Sequence, residues 1–293
     1  MSLVCIAESI NIMSNTIGPA MKERNPEPIQ NMAKEEAAAG ADLLDINIGP
    51  ARKGGAEMME WLVKTVQEVT DVPLALDTTN LDAMDGGLKV HKGRPLMNSV
   101  SLQENRLEKG IKMAAQYGAD VIGLLWGQDG MPRDADERAM HAAEFYMKAT
   151  EAGISPERIW IDPIASPISV DINQVKSCID FMAVLQDVAP EVKSTVGLSN
   201  ISNGVPDDLR CWLDRVYLCM LMHNGQYSAI MNSYDQVLMD IAKDKRPDIM
   251  ELTVSVMEGG DVNTDDLSDE MLKYHKTAKV LTGEVLFSNA WLE

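Results

Sequence analysis

At 293 residues, 45% of them hydrophobic, the chain is long enough to bury a large core as one barrel or two average domains. Lys and Arg number 26 against 45 Asp and Glu, a net charge of −19. That balance excludes nucleic acid or an anionic membrane as the main partner, because both require a basic face.

No run reaches the roughly 18 uninterrupted apolar residues of a membrane span. The N-terminus, MSLVCIAESI, lacks a basic region and meets Glu8 early, which argues against a signal peptide and for a cytoplasmic protein. Cys5, Cys178, Cys211 and Cys219 have no CxxC spacing and read as reduced thiols. His91, His141, His223 and His275 are scattered without paired-ligand spacing, so no protein-bound metal is expected.

Taken in chain order, short apolar runs alternate with segments of helical period. VCIAESI (4–10) precedes PEPIQNMAKEEAAAG, which carries prolines at its start and Gly40 as a stop. LLDINIG (43–49) leads into a helix from about Ala56 to Thr70. PLALDTT (73–79) precedes a short helix ending by Val90, and PLMNSVS (95–101) precedes one around Leu107–Tyr117. DVIGLLW (120–126) leads to Ala135–Ala152, and IWIDPI (159–164) to Ile172–Asp187. STVGLSN (194–200) leads to Asp208–Met222, and YSAIMNS (227–233) to a helix beginning near Tyr234.

Eight such units predict a parallel sheet with crossover helices, and at this length an α/β single domain, a closed (β/α)8 TIM barrel over 1–293. The rival, a doubly wound sheet, wants a GxGxxG turn after its first strand, and none follows Ile10. Residues 245–293 read as a C-terminal helical elaboration. It comprises an acidic, Gly-containing loop (Met257–Asp269) and a terminal helix (Glu270–Leu281), packed on or extending the last barrel helix.

Barrel active sites lie at the C-terminal strand ends. Here those ends carry Glu8 and Asn11, Asp45 and Asn47, Asp77, Asn98, Asp162, Asn200 and Asn232. A single Asp or Asn at such a place is most often a turn former or helix cap. Seven of the eight strands end this way, which points to a shared mouth. The mouth offers carboxylate acceptors and two-way amides, but no Cys or His nucleophile, no strand-end Lys for a Schiff base and no Gly-rich phosphate nest. This inventory suits a divalent metal or an N–H-rich heterocycle, and a pterin ring, with its adjacent donors, fits it.

Several segments together carry a resemblance. They are ESIN (8–11), DINIGPA (45–51), MEWLV (59–63), ALDTTN (75–80), MNSVS (97–101), IDPI (161–164) and GLSNISN (197–203). They resemble the pterin-binding methyltransferases that pass a methyl group between tetrahydrofolate and a corrinoid protein, relatives of dihydropteroate synthase and of the folate module of cobalamin-dependent methionine synthase. The resemblance runs from Ile6 to about Asp240 and resumes over the final helix.

By that resemblance, Asp77, Asn98 and Asp162 hydrogen-bond the pterin edge, Gly197 and Ser199 line its face, and Asn200 is the catalytic residue beside the reacting N5. Asn47 faces the ring from the mouth, and Asn203 stands where some members carry Gln. The resemblance also implies 5-methyltetrahydrofolate or tetrahydrofolate as substrate, a corrinoid (cobalamin) carried by a partner protein, and a homodimer. Two alternatives stay open: an enzyme like dihydropteroate synthase, or a non-catalytic folate-binding subunit of a corrinoid complex. Against the synthase stands a strand-seven end of Ser and Asn in place of the family's Lys. No zinc-thiolate or DxHxxG corrinoid module is present, so the corrinoid is expected on a separate protein.

Overall fold

The computed structural model describes residues 2–51 and 53–293. Eight parallel strands run in the order β7-β6-β5-β4-β3-β2-β1-β8. They are β1 (Val4–Asn11), β2 (Leu43–Asn47), β3 (Leu74–Asp77), β4 (Leu96–Ser101), β5 (Asp120–Leu124), β6 (Ile159–Asp162), β7 (Lys193–Ser194) and β8 (Ser228–Met231). A bridge between Gly197 and Ile230, with Ile230 N donating to Val196 O at 2.8 Å, joins the last edge. The architecture is thus a (β/α)8 TIM barrel.

The helices between strands are α1 (Ile17–Glu23), α2 (Pro26–Ala38), α3 (Gly55–Gln67), α4 (Leu81–Val90), α5 (Glu104–Tyr117), α6 (Ala135–Glu151), α7 (Ile172–Val188) and α8 (Asp207–His223). After β8 come α9 (Gln236–Ala242), α10 (Pro247–Met257) and α11 (Asp269–Leu281). Local chemistry starts many of them. Asn80 caps α4 and Asp134 caps α6, each accepting from a first-turn N–H. Helix α3 buries Met59, Leu62, Val63 and Val66, an i, i+3, i+4, i+7 stripe against the barrel. Its neighbour α4 approaches closely because it carries glycines there: a Cβ at Gly86 would lie 2.6 Å from Ala56 O, and one at Gly87 2.5 Å from Met59 Cγ. Among the described residues no helix is long and apolar enough to cross a membrane.

Three expectations change. Helix α1 was not visible in the alternation of runs. The stretch between residue 245 and the Met257–Asp269 loop, given no element of its own in the sequence reading, forms helix α10, whose first position is Pro247 and whose buried face is Ile249, Leu252, Thr253 and Val256. The third concerns strand seven, expected to run to residue 200. It leaves the ladder after Ser194, and Leu198–Ser202 winds into a 3-10 turn, with Asn200 N donating to Gly197 O and Asn203 N to Asn200 O. Gly197, Ser199 and Asn200 therefore lie on a turn beyond the strand.

Strand alternation divides the barrel interior into levels. Ile6, Ala75, Leu96, Ile122 and Trp160 form a sealed apolar layer with Val4, Leu43 and Ile230 against it. Below it, at the N-terminal end, buried Asp120 faces Arg94, Arg158 and Lys193 at 3.6–3.9 Å and accepts from Trp160 Nε1 at 3.3 Å. Above it, two residues further along the strands, the inward positions become Glu8, Asp45, Asp77, Asn98 and Asp162. A closed hydrophobic plug thus separates an ionic base from a polar mouth.

Candidate functional site at the barrel mouth

Register lines up the mouth. Asn11 pairs with Asn47, Asn47 with Asp77 and Asp77 with Asn98, so four strand ends present amide, amide, carboxylate and amide in one row. Asp162 stands in register with Leu124 on the far side. The side chains of the row are tied to each other. Asn47 Nδ2 donates to Asp77 Oδ2, and Asn98 Nδ2 reaches past the row to donate to Asp45 Oδ1 at 2.9 Å. Asn47 Oδ1 accepts from Gly49 N at 2.8 Å, which fixes its amide with the donor towards Asp77.

Burial governs the charges. Desolvation lifts the Asp77 carboxyl to about 7, aided by the nearby Asp162, while the Asn47 hydrogen bond opposes the rise. Asp162 likewise sits at about 7, raised by burial and held down by the Ile164 N–H, 2.8 Å from Oδ1, and by the charge of Arg138. Asp45 is pushed well above the carboxylate range by burial and by Asp77. The mouth therefore holds acids that change charge near neutrality, each already oriented by an amide or a backbone donor.

Residues outside the strand ends hold Asp162 in place. The peptide continues through Pro163 to Ile164, a β-branched residue at φ 68°. Fully buried Arg138 of α6 secures that bend, bonding Pro163 O at 2.8 Å and reaching Ile164 O at 3.5 Å, with Ser177 Oγ and Gln174 Oε1 at 2.6 and 2.8 Å. In sequence Arg138 lies in the charged stretch DADERAMHA and reads as a solvated helix face.

The strand-seven turn is the neutral side of the mouth. Asn200 and Asn203 are exposed, and Asn203 Nδ2 donates to Asn200 Oδ1 at 3.2 Å. The Asn200 side chain folds back over Gly197, where an added Cβ would lie 2.9 Å from Nδ2. Ser199 Oγ donates to Glu8 Oε1 at 2.6 Å, and Arg210 of α8 braces the turn through Ser202 Oγ at 3.1 Å and Ser199 O at 3.4 Å. Glu8 and Asp45 were visible as strand-end acids, whereas Arg210, like Arg138, carried no signal separating it from surface charge. Two strand-end amides do turn work: Asn11 accepts from Met13 N at 2.9 Å and Asn232 from Tyr234 N at 3.0 Å.

Known proteins place the chain in a family. The family described as pterin binding enzyme matches residues 8–232, from the strand-one acid to the strand-eight amide, and the chain belongs to that family. The methylcorrinoid:tetrahydrofolate methyltransferase of Eubacterium limosum is 25% identical over 242 residues, covering 81% of this chain and 88% of that protein. The methionine synthase of Mycobacterium leprae (strain TN) is 28% identical over 243 residues, 79% of this chain but 20% of that much longer protein. Among solved structures, dihydropteroate synthase from Xanthomonas albilineans in complex with 7,8-dihydropteroate superposes with a TM-score of 0.67 at 16% identity, covering 85% of this chain and 94% of that one. The dihydropteroate synthase of Yersinia pestis, with a pterine-sulfa conjugate, gives 0.66 at 18% identity, covering 84% and 95%.

Proposed function

We propose that this chain is a methyltransferase that moves a methyl group between N5 of tetrahydrofolate and a corrinoid carried on a separate protein. The observation that carries the reading is the pairing of an acid-and-amide row, Asn47–Asp77–Asn98 with Asp162 opposite, with a strand-seven turn that ends in neutral Ser199 and Asn200. Likeness to a methylcorrinoid:tetrahydrofolate methyltransferase over 81% of the chain supports it.

In this reading Asp77 and Asp162, ionised, accept from the adjacent N–H groups of the pterin edge, and Asn98 completes the edge with its two-way amide. Gly197 leaves room at the face of the ring, and Ser199, Asn200 and Asn203 form the polar wall beside N5. The corrinoid supplies the metal centre that takes or gives the methyl group. The chain's own task is at N5. A neutral tertiary amine leaves badly, so N5 must be protonated or strongly hydrogen-bonded as the N5–methyl bond breaks. Asn200 can donate or accept there by turning its amide, so one site serves both directions of transfer.

The test mixes purified protein with 5-methyltetrahydrofolate and cob(I)alamin and follows the absorbance of methylcobalamin. Methyl transfer is the expected result. Folate binding without transfer would overturn the reading in favour of a non-catalytic binding subunit, and condensation of a pterin pyrophosphate with an aminobenzoate in favour of a synthase.

A further inference from the structure

Glu8 touches the strand-seven turn through Ser199 Oγ at 2.6 Å, and Asp214 of α8 meets the same turn at Ser202. Behind it lies a polar crevice of about 250 Å³ between α8 and β8, lined by Glu8, Ser199, Arg210, Asp214, Asn232 and Asp235. Asp214, buried in the crevice wall, leaves Oδ1 without a protein partner, the mark of a seat for water. The crevice is lined by Glu8 and opens to solvent.

We propose that Glu8 is a positioning residue that holds the proton destined for N5 and hands it on through the Ser199 hydroxyl, refilled from solvent by way of the crevice. The inference rests on the methyltransferase reading. A hydroxyl can both accept and donate. When Glu8 is protonated its O–H donates to Ser199 Oγ, which frees the Ser199 O–H to donate outward at the turn that carries Asn200. The proton joins the N5 lone pair, and the methyl group passes without its bonding electrons to the reduced corrinoid of the proposed reaction, which supplies the pair for the new bond; the old pair remains on N5 as the lone pair of a neutral N–H amine. Glu8 is left as carboxylate and regains a proton from solvent in the crevice, so atoms and charge balance with the corrinoid as the one co-reactant.

The surrounding charges suit the task. Burial lifts Glu8 above the ordinary carboxylate range, opposed by the Ser199 hydrogen bond and by Arg210. The other groups facing it are Asp45 on β2 and Glu36 on α2, both raised by burial, with Arg210 and Asp214 on α8. Asp214 is lifted by burial to about 7. Asp235, across the crevice, is occupied by a two-pronged pair with Arg215 at 2.8–2.9 Å.

The experiment compares wild type, Glu8→Gln, Glu8→Asp and Ser199→Ala in transfer from 5-methyltetrahydrofolate to cob(I)alamin across pH. Proton uptake on binding 5-methyltetrahydrofolate is read in parallel with an indicator dye. Wild type is expected to slow as pH rises through the Glu8 titration. Glu8→Gln should transfer about 10–100-fold more slowly, lose that pH limb and take up less proton. Glu8→Asp should restore the limb in part, and Ser199→Ala should lose it while leaving Glu8 in place. Should Glu8→Gln fail to fold, Ser199→Ala carries the test alone. A wild-type pH limb and proton uptake in both Glu8→Gln and Ser199→Ala would overturn the inference. Wild type that moves no methyl at any pH would instead sink the methyltransferase reading.

Discussion

Arg138 Nε donates to Pro163 O at 2.8 Å, one residue beyond Asp162, and this fully buried guanidinium bonds carbonyls, Ser177 and Gln174 rather than an acid. Its charge works through space, drawing the Asp162 carboxyl down against the effect of burial. Arg138→Met keeps bulk but removes that pull, so Asp162 should titrate above about 7 and be less ionised at neutral pH. Folate affinity at neutral pH is expected to fall about 10-fold, a difference of about 1.4 kcal/mol, and to recover as pH rises. Calorimetric titration at several pH values checks it, and an affinity unchanged throughout would show that Arg138 only fills space.

Asp77 and Asp162 both sit at about 7, above the ordinary carboxylate value of 3.8, which fixes two signs. For ligand, the carboxylate is the acceptor, so folate binding should weaken as pH falls through about 7, these two acids giving up protons that offset any uptake elsewhere in the site. For the fold, the native state binds more protons than the unfolded chain between 3.8 and about 7, so each acid lowers stability as pH rises through that window. Asp77→Asn is therefore expected to raise unfolding stability at alkaline pH by on the order of 1–3 kcal/mol, while folate binds about 10–100-fold more weakly. Paired denaturant melts and folate titrations read both effects in one variant.

On the proposed function, Asn200→Ala removes the amide beside N5 without touching the acid row. Methyl transfer should slow by about 10²–10³-fold, the range for loss of one preorganised polar group, with folate affinity within a few-fold of wild type. Gly197→Ala is expected to act in the same direction, because its Cβ would meet Asn200 Nδ2 at 2.9 Å and push the amide aside. Single-turnover rates beside binding constants separate the two effects.

At the opposite end of the barrel, Asp120→Ala should behave in the contrary way. It strands Arg158 and Lys193, which face the acid from 3.6 and 3.8 Å, and takes the acceptor from Trp160 Nε1. A loss of about 2–4 kcal/mol in unfolding stability is expected, with transfer kinetics unaltered, since the apolar plug isolates this base from the mouth. A changed rate constant at saturating substrates would mean the two ends communicate.

The barrel was legible in sequence because its signal is repeated: an apolar run, a polar strand end and a helical stretch, again and again. The row Asn47, Asp77, Asn98 was legible for the same reason, each side chain closing such a run. Asn11 and Asn232 look identical to Asn47 in sequence, and all three bond a backbone N–H two residues on; only the fold reveals that Asn47 also reaches across to Asp77. Apolar residues at 196 and 198 extended the reading of strand seven, but hydrogen bonds within 197–203 win over the ladder there. Burial of a charge cannot be seen in one dimension. Arg138 sits among Asp134, Asp136 and Glu137, and what removes it from water is the packing of α6 on α7, far apart in the chain.

The strand that leads into the Asn200 turn is also the most lightly laced stave of the cylinder. β7 keeps two register pairs with β6 and meets β8 through the single Gly197–Ile230 bridge, whereas β1 meets β8 through four pairs. Breathing of the backbone should begin where the fewest bonds must part. Amide protons from 195 to 203 are therefore expected to exchange with deuterium sooner than those of β3, and sooner without folate than with it. Such a seam would let the Ser199–Asn200 wall yield while the rest of the cylinder stays shut, which on the proposed function is the side that admits the corrinoid protein.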